Sequence, residues 1–241
     1  MKSYDLIIKN AQIHTMDEDR KVYAKGIIGI EGEKITLIKE MNELTPEELQ
    51  ECEGAGRVID AEGKVVFPGF IDTHIHIFQS FLKGLGADHR LIEWLNLSAL
   101  PYGQYMTPHQ HELAAQLACM EAIKSGCTTM SEFFYTNQDS ELAHSCIEGM
   151  VSTGIRSVFI RTFQDTGEEY GMPKCFLEPV GKAMKEVDAL KKAYKENDML
   201  SIWTGPDVTW STTKEGYQEM LEYCLNENVR YSMHIKETEV D

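Results

Sequence analysis

Along residues 1–66 apolar and polar positions alternate with the period of two that turns one face of a strand toward a core. "YDLIIKNAQIHTM" and "GIIGIEGEKITLIKE" carry the pattern most clearly, and Glu31-Gly32-Glu33 predicts a hairpin turn between Ile27–Ile30 and Ile35–Ile38. "RVIDAEGKVVFPG" predicts a further hairpin, turning at Glu62-Gly63. Between them "NELTPEELQECEGAG", Asn42 to Gly56, reads as a polar, acidic connector.

Past Pro68 the period changes. "VVFPGFIDTHIHIF" reads as a strand entered through a Pro-Gly turn. "TPHQHELAAQLACMEAIKSG" then predicts a helix with Thr107 as N-cap, Pro108 at the first helical position and Gly126 past its end, and with Leu113, Leu117 and Met120 on one face. The strand-like runs "CTTMSEFFY", "IRSVFIRTF", "LSIWTG" and "VRYSMHI" alternate with the helical runs "SELAHSCIEGMVSTG", "PVGKAMKEVDALKKAYKEN" and "TKEGYQEMLEYCLNEN". The last of these places Tyr217, Met220, Leu221, Cys224 and Leu225 on one stripe. Short apolar strands alternating with helices predict a parallel α/β arrangement, here with five strands and four helices.

The alternation gives meaning to the histidines. His74 and His76 are two apart on a strand and project to one face, where neutral imidazole is a good zinc or iron ligand. In a (β/α)₈ barrel the active site forms at the C-terminal ends of the strands. His74 and His76 end the first such strand and His234 ends the fifth, so the three would converge on one mouth. His14, His89, His109, His111 and His144 fall in connectors or on helix surfaces and read as structural.

Composition narrows the partners. A net charge of −16 argues against nucleic acid or an anionic membrane surface. No apolar run approaches the ~20 residues of a membrane span, and the first 20 residues lack the apolar core of a signal peptide. The 6 Cys include no C-x-x-C pair and read as reduced thiols of a cytoplasmic protein. The sequence leaves a homodimer open.

"PGFIDTHIH" after a β-rich segment resembles the amidohydrolase superfamily. With "HIKE" (His234 to Glu237), "LIEWL" (Leu91 to Leu95) and "SGCTTMSEF" (Ser125 to Phe133), the chain is similar to the aminohydrolase branch. That branch includes guanine and cytosine deaminases, methylthioadenosine/adenosylhomocysteine deaminases and triazine hydrolases. The resemblance covers essentially the whole chain. It implies the N-terminal portion of a (β/α)₈ TIM-type barrel preceded by a small β-sandwich-like segment. Residues 1–66 would be part of a β-rich composite domain, and residues 67–241 the first five barrel strands of a metal-dependent hydrolase.

The resemblance also implies roles. His74, His76 and His234 would hold one divalent metal ion, Zn or Fe, and Glu237 would shuttle protons. No lysine lies in "IWTGPDVTW" (Ile202 to Trp210), where binuclear members carry a bridging one, which favours a mononuclear site. Arg161, Asp207, Gln79 and Trp94 are candidate substrate-binding residues; Asp207 stands where many purine-nucleoside members have histidine. The expected reaction is hydrolytic deamination of a small heterocycle, a purine, pyrimidine or triazine. The family's sixth-strand histidine, eighth-strand aspartate and second β-domain segment are absent from these 241 residues. The alternatives are therefore an inactive truncated fragment or a hydrolase of another leaving group, such as chloride from a triazine.

Overall fold

The computed structural model describes residues 4–238. The chain divides into two compact units, Met1–Gly69 and Phe70–Asp241.

In the first unit β1 (Leu6–His14), β2 (Val22–Glu31) and β3 (Lys34–Glu40) form an antiparallel meander, with Gly32 at φ 58° in the β2–β3 turn. Helix α1 (Pro46–Glu53) follows, started by a capping box in which Thr45 and Glu48 satisfy each other's backbone N–H groups. Its Cys52 packs with Tyr4, Ile7, Ile27 and Leu37. The run around Glu62-Gly63 differs from the expected hairpin. β4 (Arg57–Asp60) and β5 (Val65–Val66) do not pair with each other; both run parallel to β1, along the same edge. The left-handed residues Glu62 and Gly63 let the chain step past Asn10, itself at φ 56°, where β1 bulges, and Gly63 N donates to Asn10 O at 2.8 Å.

The second unit is a parallel sheet in the order β6 (Phe70–Ile75), β7 (Cys127–Phe134), β8 (Arg156–Phe163), β9 (Leu200–Pro206). A short irregular helical stretch links β6 to the rest: a 3₁₀ turn (Ile77–Leu82), then α2 (Leu91–Trp94), a π turn (Leu95–Ala99) and α3 (Leu100–Gly103). Helices α4 (Pro108–Lys124), α5 (Ser140–Ser152), α6 (Val180–Ala193) and α7 (Lys214–Glu227) alternate with the later strands. Met130, Phe134 and Phe159 of the sheet pack against α4 and α5, and Phe163 against α6 and α7.

Helix α4 buries a different face from the one bearing Leu113 and Met120, which are exposed. The buried residues are His111, Ala114, Ala115, Ala118 and Cys119. α5 approaches so closely that a Cβ on Gly149 would lie 2.5 Å from Glu112 O and 2.7 Å from Ala115 Cβ, so only small residues fit the contact.

The expected fifth strand is a correction. Residues 229–235 run alongside β9 but form only isolated parallel bridges, Thr204 to Tyr231 and Val208 to His234. Thr204 pairs in both directions, its N–H to Arg230 O at 3.1 Å and its O from Ser232 N at 3.0 Å. The next rung of a parallel ladder would need an N–H at position 206, which is proline. No helix among the described residues is long and apolar enough to cross a membrane.

Candidate active site

The C-terminal ends of the four parallel strands supply the site. His74 lies in β6 and His76 directly after it, and the isolated bridge to Val208 brings in His234. Their potential ligand atoms all lie within 4.8 Å of one another, and the His74 and His234 Nε2 atoms are 3.1 Å apart.

Backbone carbonyls fix two of the rings. His76 Nδ1 lies 2.9 Å from Phe133 O, and His234 Nδ1 lies 2.8 Å from Asp207 O. A carbonyl can only accept, so each Nδ1 carries the proton and each Nε2 keeps a lone pair. The lone pair of His234 Nε2 faces His74 Nε2 at 3.1 Å, a spacing at which the two nitrogens can share a proton or a cation. Imidazoles oriented through Nδ1–H toward carbonyls are the usual outer support of a metal site.

Electrostatics keeps most of the cluster in the ligating form. Burial, reinforced by nearby His234, drives His76 down to about 3. The same two causes lower His74. For His234 burial pulls downward, but the hydrogen bond and charge of Asp207 outweigh it and the net shift is upward. Asp207 Oδ1 lies 3.6 Å from His234 Nδ1, and Oδ2 accepts from Gln164 Nε2 at 3.2 Å.

The three histidines open into a cavity of about 240 Å³ whose lining includes Gln79, Trp94, Tyr135, Asp207, Trp210 and Glu237. Gln79 Nε2 donates to Tyr135 Oη at 2.9 Å, and Trp94 Nε1 donates to Leu85 O at 3.0 Å. Burial, with the Asp207 charge adding to it, pushes the Tyr135 phenol well above its usual range, so it keeps its proton.

Arg161 is where the sequence reading fails. It is neither in the cavity nor on the surface. Its side chain is fully buried beneath α6, where the guanidinium pairs with Glu178, with Glu186 at 2.6 Å and with Thr162 O at 2.5 Å. In β8 its neighbours in register alternate faces, and position 161 turns toward the helix layer. Tyr135, Gln164 and Trp210 were not singled out from the sequence. The signal for each was its place just past a parallel strand.

A family model described as "Amidohydrolase family" matches residues 65–241. This chain belongs to the amidohydrolase family. This amidohydrolase is 28% identical over 231 residues to 5-methylthioadenosine/S-adenosylhomocysteine deaminase of Bacillus cytotoxicus, covering 95% of this chain and 49% of that protein. Among solved structures it resembles a guanine deaminase from C. acetobutylicum with bound guanine (TM-score 0.81, 17% identity, 97% of this chain and 54% of that one). It also resembles an atrazine chlorohydrolase from Arthrobacter aurescens TC1 complexed with zinc (TM-score 0.78, 21% identity, 96% and 53%). An adenosine deaminase from Xanthomonas campestris with bound Zn aligns at TM-score 0.83 and 15% identity, over 99% of this chain and 51% of that one. These likenesses carry the fold: an α/β chain resembling the N-terminal part of a TIM barrel. The chain spans about half the length of the curated relatives it matches.

Proposed function

We propose that this amidohydrolase replaces an amino group on a small heterocyclic base with a water-derived oxygen, releasing ammonia. The observation that carries the reading is the convergence of three imidazoles, two of them held by Nδ1–H bonds to carbonyls, on one cavity that also contains a carboxylate.

In this reading His74, His76 and His234 hold one divalent cation, Zn or Fe. The cation supplies Lewis acidity and lowers the pKa of water toward neutrality. Asp207 steadies His234, and Phe133 O sets the tautomer of His76. Glu237 moves the proton. Its carboxylate takes one proton from the attacking water and gives it to the ring nitrogen beside the reacting carbon. It then passes the added hydroxyl's proton to the amino group, so the C–N bond breaks, ammonia leaves and the oxygen stays as a carbonyl. Gln79 and Trp94 line the substrate pocket. With all six cysteines unpaired, we place the protein in a reducing compartment, the cytoplasm.

The cavity favours a free base over adenosylhomocysteine. Among the described residues no Lys or Arg lines it, whereas Asp207 and Glu237 do. A substrate carboxylate would have no cation to meet, and an amino-bearing ring would have acceptors for its N–H groups.

Metal analysis of a His74→Ala, His76→Ala double variant tests the reading. The native protein should carry about one equivalent of Zn or Fe and the variant far less; equal content would end the proposal. Parallel ammonia and chloride assays on amino- and chloro-substituted heterocycles identify the leaving group. Chloride release without ammonia would overturn the deaminase assignment.

A further inference from the structure

Two neutral hydrogen-bond donors of the cavity wall have no role in holding a cation or moving a proton. The first is Tyr135, 4% exposed, which follows β7 directly. Its ring stands edge-on to His76, with centroids 4.9 Å apart at 84°. Its oxygen already accepts the Gln79 amide at 2.9 Å, and Gln79 also lines the cavity. A phenol that accepts one hydrogen bond still has its own proton to give, and among the described residues no protein acceptor takes it.

The second is Trp210, in the 3₁₀ turn after β9 (Thr209–Ser211). Its ring tilts against Tyr170, with centroids 5.2 Å apart. Its Nε1 is buried with no hydrogen-bond partner, although Trp210 lines the cavity. A buried indole N–H left unpaired is costly, and such groups in native structures call for an explanation. Trp94 shows the contrast within the same cavity, since its Nε1 is already satisfied by Leu85 O.

We infer that Tyr135 Oη–H and Trp210 Nε1–H recognise acceptor atoms of the substrate. The substrate class would then be an oxo-substituted amino heterocycle, whose exocyclic oxygen offers two lone pairs to two donors. The acidic groups Asp207 and Glu237 face its amino and N–H groups. This division of donors and acceptors deepens the deaminase reading and rests on it.

The test is binding, not turnover. Calorimetry on the zinc-loaded full chain compares hypoxanthine with purine, and 4-pyrimidinone with pyrimidine. None of these carries an amino leaving group. The oxo member of each pair adds one exocyclic oxygen and turns one ring nitrogen into an N–H, so the loss of preference in a donor-less variant isolates the oxygen. The native protein should prefer the oxo member by about tenfold, what one neutral hydrogen bond is worth. Tyr135→Phe and Trp210→Phe keep aromatic bulk and remove the donor. Each should weaken the oxo member while leaving its partner and the zinc content unchanged, so the preference narrows. A merely structural role would weaken both members alike. Preference absent in the native protein, or unaltered in both variants, overturns this inference and leaves the deaminase reading standing. If no heterocycle binds, the pocket assignment itself falls and the inference falls with it.

Discussion

Glu237 and Glu132 are both carboxyl side chains close in space or sequence to the histidine cluster, and their surroundings separate their work. Glu237 lines the cavity at an exposed position. Glu237→Gln should therefore retain metal and lose turnover by roughly 10²–10⁴-fold, the usual worth of general acid–base catalysis; near-normal turnover would return Glu237 to a solvated side chain. Glu132 is fully buried, with Oε2 accepting Ile77 N–H at 2.7 Å and Oε1 without a partner. Burial outweighs that hydrogen bond and holds its carboxyl up at about 8. An unfolded Glu titrates near about 4.3. Between these values the native state keeps a proton that the unfolded chain has released. Glu132 then contributes stability that is full below about 4.3 and lost as pH rises through its native value. Glu132→Gln cannot ionise, so its melting temperature should gain on that of the native protein between about pH 5 and about pH 8. A constant difference between the two proteins across that range would show that Glu132 does not titrate this way. Sequence alone could not have found Glu132, and it marked Tyr135 only by its place just past a parallel strand. His74 and His76 are legible because two residues on a strand share a face, but the partners of Nδ1 are carbonyls of Phe133 and Asp207, set by register between strands that no local pattern encodes.

At the scale of elements, strand and helix were legible wherever the element is finished by local chemistry. The Thr107–Gln110 capping box and Pro108 start α4 where the sequence predicts. What escaped was decided by neighbours: α4 buries its alanine face because Gly149 lets α5 approach, and Leu225 is exposed although it completes an apolar stripe. The segment carrying His234 is apolar enough to read as a strand, yet Pro206 removes a rung of its ladder and leaves it held by few bonds. Gly205 matters for the same segment. A Cβ there would sit 1.7 Å from Ser232 O, an impossible approach to backbone. Gly205→Ala should push the segment away and separate His234 from His74 and His76. The expected outcome is weaker zinc retention against a competing chelator, with far-UV circular dichroism unchanged because β6–β9 remain paired. Native zinc retention in this variant would mean that His234 is not a ligand.

At the scale of the whole molecule, exposed apolar side chains include those of the strand that begins the second sheet and of the segment that carries His234. Phe70 and Ile71 are 61% and 65% exposed, and Ile235 is 61% exposed. Among the described residues β6 pairs only with β7, so its outer edge offers unpaired backbone groups beside those side chains. Such an edge is a template for association unless a charge, a bulge or another element covers it. The sequence announced the apolar strand but not its exposure, because burial depends on what lies across the edge. These 241 residues, expressed as such, should therefore self-associate, with a light-scattering mass that rises with concentration. Ile71→Lys places a charge on the edge without touching the three imidazoles. It should shift the mass toward that of a monomer while leaving zinc content unchanged. If the native chain is a monomer at all concentrations, the edge is not a site of association. If it associates and Ile71→Lys has no effect, association runs through another surface, with the exposed Leu225 of α7 the next position to charge.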